Sequence, residues 1–125
     1  MKNNVMLTIA SLLTILLMTF HLTDDILRQG GMSQRGFLSS VLILVVWLYG
    51  TLVLAERRSG HVIILLGSLL GSGMPVIHTM GAGITKSHGA LSVWILLAVG
   101  VTATFSLILS VRGLWSLRRG QPRTA

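Results

Sequence analysis

The chain has no cysteine. Structural disulfides, thiolate metal sites and quinone-linked dithiol chemistry are therefore excluded. Acid is almost as scarce: three Asp and Glu stand against ten Lys and Arg, for a formal net charge of +7. Charged residues of both signs make up only 10% of the 125 residues, whereas a soluble domain carries about 25%. So little polar material cannot cover a water-facing surface. What is abundant is apolar: 52% of residues are hydrophobic and the mean hydropathy is +0.81. Lipid is the expected solvent, and the length suits one domain.

The basic excess does not point to nucleic acid. It sits in the gaps between apolar runs and at the C-terminus, with no basic domain. There it reads as an orientation signal and as contacts with anionic lipid.

A spanning helix needs about 20 mainly apolar residues, and four stretches supply them, at roughly 5–22, 37–55, 61–80 and 89–111. In lipid the backbone must bond to itself, which runs of this length achieve only as helices. The N-terminal run lacks a small-x-small cleavage site, so it reads as a retained first span. RQGGMSQR, ERRSG and GAGITKSH form short links, with Ser59 and Ser87 as candidate N-caps for the third and fourth helices. Short links predict an up-down-up-down four-helix transmembrane bundle, all-α, with a polar tail over 112–125.

Orientation follows Lys and Arg. One side collects Lys2, Arg57, Arg58, Arg112, Arg118, Arg119 and Arg123, and the other Arg28, Arg35 and Lys86. Seven against three favours both termini in the cytoplasm, and a bacterial plasma membrane is the expected location. Trp115 and Trp94 fall near opposite interfaces, where aromatic belts form.

With this threading, FHLTDDILRQGG (residues 20–31) lies at the outer mouth. His21, Asp24 and Asp25 stand at i, i+3 and i+4, on one helical side. His78, late in the third span, and His88, before the fourth, reach the same level. The two acids sit near the negative pole of the first helix, which costs about 0.3–1 kcal/mol each, so something positive should compensate. One reading is bland: the polar residues mark where a helix leaves lipid, with Asp24 capping a short helix DILRQ and Gly30 ending it. The other is functional. Imidazoles with carboxylates suit a divalent metal drawn from His21, Asp24, Asp25, His78 and His88. Alternatively, His21 and His78 hold a haem between two spans as a redox subunit, or the cluster exchanges protons or carries a cation.

The third span carries GSLLGSGMP. Gly67 with Gly71, and Ser68 with Ser72, form small-xxx-small pairs that let helix backbones approach. They place this helix at the bundle centre or at the seam of a homodimer or membrane-protein partner. Pro75 removes a backbone hydrogen bond, so a kink or local unwinding is expected there. Trp47 lies at mid-depth, and its indole N–H needs a serine or threonine on a neighbour. His61 opens the third span at the opposite side and reads as interfacial. The hydroxyls of the fourth span have no base beside them, so no nucleophile is evident and no enzymatic reaction is expected.

Known short four-span families offer no match. Small multidrug exporters carry a glutamate within the first span, and here no acid precedes Asp24. Small fluoride channels share the length, but ATFS at 103–106 is only a fragment of their phenylalanine motif and their glycine–arginine signature is missing. The expectation is a small integral membrane protein with an outward-facing His/Asp cluster that binds a divalent cation.

Overall fold

Four apolar runs become four helices in the computed structural model, which describes residues 2–28, 33–81 and 90–120. They are α1 (Lys2–Arg28), α2 (Gln34–Leu52), α3 (Arg58–Gly81) and α4 (Ala90–Arg119). Each is long and apolar enough to cross a membrane, and no strand occurs among the described residues. The fold is the all-helical one that the hydropathy pattern requires.

The helix ends differ from the hydropathy boundaries because backbone bonding does not stop where apolarity stops. α1 continues to Arg28, about 40 Å in all at the usual rise per residue. Asp24 is therefore inside a helix and does not cap a separate one. α3 starts at Arg58, and the His61 N–H bonds to the Arg57 carbonyl at 3.2 Å. Ser59 thus lies in the first turn and is not the cap expected of it. α4 runs on to Arg119, so half of the expected polar tail is helical. RGLWSLRR holds strong helix formers around a single glycine, and the helical ladder passes through it. α2 stops at Leu52 and is capped at its start by Ser33, whose Oγ accepts from the Gly36 N–H at 3.2 Å. Ser87 and Gly30, the other candidate boundary residues, fall outside the described residues.

Small residues decide how the helices meet. A side chain at Gly67 would collide with the six-membered ring of Trp47, and one at Gly71 would meet the Ala103 methyl at 2.9 Å. Gly50 lies under Ile63, with an added Cβ only 2.8 Å from that side chain's Cβ. α3 passes Pro75 with no break in the helix, so the local unwinding expected there does not occur. The proline ring sits in the notch at Gly100, where an added Cβ would lie 2.9 Å from its Cγ. α3 packs most extensively against α4, and α1 packs chiefly against α4; among the described residues α2 packs on α1 and α3. The contact order alternates. Early α3 meets late α4 (His61 with Gly113), and late α3 meets early α4 (Pro75 with Gly100).

Several hydroxyls and the indole inside this core pair with one another, as a lipid setting favours. The Trp47 Nε1–H donates to Ser11 Oγ at 3.0 Å, which supplies the hydroxyl its depth required. Ser11 Oγ in turn lies 2.8 Å from Thr51 Oγ1, and Thr51 donates to the Trp47 carbonyl at 2.9 Å. Ser68 donates to Ser106 across α3 and α4 at 2.9 Å. By contrast, α2 buries only Trp47, Gly50 and Thr51. Most of its outward surface is Val, Leu and Ile, with Phe37 and Tyr49, which suits contact with lipid chains.

Candidate functional site

The stretch HLTDD stays helical, and helical geometry separates its two acids. Successive residues differ by about 100° around the axis, so Asp24 and Asp25 address different neighbours. Asp24 turns to α4, where Ser92 Oγ donates a hydrogen bond to its Oδ2. Asp25 turns the other way and shares a face with His21, one turn earlier. The His21 Nε2 lies 3.6 Å from Asp25 Oδ2. That is too long for a good hydrogen bond and within ion-pair distance when the ring is protonated. The His21 side chain is 5% exposed and that of Asp25 is 18% exposed.

His21 and Asp25 line a cavity of about 160 Å³ between α1, α2 and α3. On α1 its wall is built by Met18, His21, Leu22 and Asp25, at i, i+3, i+4 and i+7, the spacing of one helical stripe. α2 contributes Ser40 and Trp47, and α3 contributes Leu70 and Met74. The walls are mainly apolar, with imidazole, carboxylate and hydroxyl gathered among thioethers. Small-molecule sites enclose roughly 300–1,000 Å³. This space is smaller and suits an ion with its ligands better than a macrocycle such as haem.

Among the described residues, no three His, Asp or Glu side chains converge as a metal cluster. Of the five residues expected to share a metal, His21 and Asp25 come together and Asp24 is drawn towards α4. His88 and the side chain of His78 lie outside the described residues, and with them the haem arrangement expected between His21 and His78. The backbone puts His78 one turn beyond Met74 on α3. Of the four small residues of α3, Gly67, Ser68 and Gly71 are buried inside the chain. Ser72 is half-exposed and bonds to the Leu69 carbonyl of its own helix at 3.0 Å.

The sequence reading missed two features. One is the methionine pair, Met18 and Met74, on the wall of this cavity; in a chain this apolar, methionine reads as filler. The other is His61, expected at the interface and instead 1% exposed. Its Nδ1 lies 3.1 Å from the Arg57 carbonyl. A carbonyl only accepts, so that bond needs the proton on Nδ1. Its Nε2 is buried with no hydrogen-bond partner, and its own carbonyl accepts from Ser110 Oγ at 2.8 Å. A Cβ at Gly113 would lie 2.7 Å from the imidazole Nε2. The signal was the small pair Ser110 and Gly113, one turn apart late in α4, which opens a seat for a ring.

Comparison with protein-family models, with curated proteins and with solved structures finds no match to this chain. The chemistry of the residues therefore carries the functional reading.

Proposed function

We propose that the chain is a small multi-pass membrane protein that binds a metal cation at the cavity between α1, α2 and α3, and that its role is binding rather than catalysis. The supporting observation is the buried pair: an imidazole and a carboxylate, 3.6 Å apart, on the wall of a cavity of ion-binding size. Ionisable groups at membrane depth are expensive, and when present they mark ion or substrate sites. His21 supplies a neutral nitrogen ligand, and Asp25 supplies negative charge to balance the cation. His78 and His88 are the further ligands in this reading, and a divalent ion is the occupant such a set suits. The Lys and Arg distribution, seven against three, sets both termini in the cytoplasm and opens the cavity to the outer side. The surroundings are lipid.

The test is metal uptake by the purified full chain in detergent micelles, measured by elemental analysis after incubation with each of several first-row cations. Near-stoichiometric uptake is expected, with loss in His21→Ala and strong weakening in Asp25→Asn. Failure of the wild-type chain to retain any cation overturns the proposal, and a Soret band in the same preparation would replace it with the haem reading.

A further inference from the structure

The cavity holds more than imidazole and carboxylate, and the additional residues bear on which cation fits. Met18 lies one turn before His21 on the same stripe of α1, and Met74 enters from α3. Trp47 also lines the space, with its Nε1–H already committed to Ser11, so its ring offers only its π surface. Methionine is the residue that normally flows into gaps in a core, and interiors tolerate few voids larger than water. Here two methionines border a space of about 160 Å³ that they leave unfilled. The donors around it are two thioethers, one imidazole and the Ser40 hydroxyl, with a carboxylate 3.6 Å from the imidazole.

We propose that the occupant is a soft monovalent cation of the Cu(I) class, held by the Met18 and Met74 sulfurs and the His21 imidazole. This rests on the metal-binding reading above and narrows it. Thioethers are poor ligands for hard or borderline divalent ions and good ones for Cu(I). The neutral donor set leaves the ion's single charge intact, and Asp25 balances it. Trp47 also lines the cavity, and its ring face supplies a cation–π contact in this proposal.

The experiment is a competition titration of the full chain in detergent micelles. Cu(I) is kept reduced and shared with a chromogenic chelator, and Ag(I) serves as a redox-silent duplicate. Zn(II) is titrated in parallel. One Cu(I) per chain is expected. Met18→Leu and Met74→Leu should each weaken it by at least about tenfold, the lower end of what even outer-shell changes cost a metal site. Both substitutions preserve volume, and the helical circular dichroism and thermal unfolding of each variant check the fold. Met80→Leu, at a methionine 84% exposed and outside the cavity, should change nothing. If Cu(I) affinity ignores Met18 and Met74 while Zn(II) binds and is lost in Asp25→Asn, the soft-cation proposal fails and the divalent reading stands. If neither ion binds, both fail.

Discussion

Among the described residues, the two ends of the bundle each bury one histidine, and they bury it for opposite reasons. His21, 4% exposed, has a carboxylate at 3.6 Å and a cavity in front of it. His61, 1% exposed, has a glycine pressed against its ring and a carbonyl on Nδ1. One imidazole has neighbours able to share an ion. The other has neighbours that leave no room for one, and its Nε2 goes without a partner. Burial of an ionisable group therefore does not by itself identify a site. Space and complementary donors do.

The sharpest way to break this comparison is to crowd the sealed end. Gly113→Leu drives a side chain into the His61 ring, where even a Cβ would lie 2.7 Å from Nε2. Overpacking of a filled core costs about 1–3 kcal/mol, and the α3–α4 seam has no slack to reduce it. Gly73→Leu is the control, because nothing lies within 4 Å of a Cβ there. Unfolding in mixed micelles should show a large loss for the first and little change for the second. Equal stability of the two would mean that His61 is not seated against α4.

A middle-sized effect tests the division between the two adjacent acids. Ser92→Ala removes the hydroxyl that bonds Asp24. Hydrogen bonds to charged groups contribute about 1.5–3 kcal/mol. Asp24 is only half-buried, so a loss of about 1 kcal/mol is expected after allowance for solvent. A double-mutant cycle with Asp24→Asn should return most of that as coupling. Cation uptake should survive Ser92→Ala and fall in Asp25→Asn. The reverse pattern would assign the ion to Asp24 and to the α4 side.

These contrasts also show what was legible in the residues. Lipid leaves the backbone one solution for long apolar runs, so four helices could be read from hydropathy alone. The partner of Trp47 was legible in kind, a hydroxyl at mid-depth, because an indole N–H in lipid has few alternatives. The helix ends were not, since α1 and α4 carry polar residues without breaking. Nor was the parting of Asp24 from Asp25. Spacing within one helix places residues around that helix, but only the neighbours on α2, α3 and α4 determine what each one meets. His61 misled for the same reason: its seat is made by Ser110 and Gly113, 49 and 52 positions away in the chain.

The smallest expected effect separates the two histidines most cleanly. His61→Leu keeps much of the volume and deletes a buried nitrogen that has no partner. It also gives up the Nδ1 bond to the Arg57 carbonyl, but that carbonyl still receives the His61 backbone N–H at 3.2 Å. A net hydrogen bond contributes about 0.5–1.5 kcal/mol, and removing an unsatisfied buried group offsets a comparable amount. Stability should therefore shift by less than about 1 kcal/mol, with cation uptake unchanged. His21→Leu should abolish uptake. If His61→Leu instead lost the cation while His21→Leu kept it, the sealed end would be the site, and the cavity at the other end would be a packing defect.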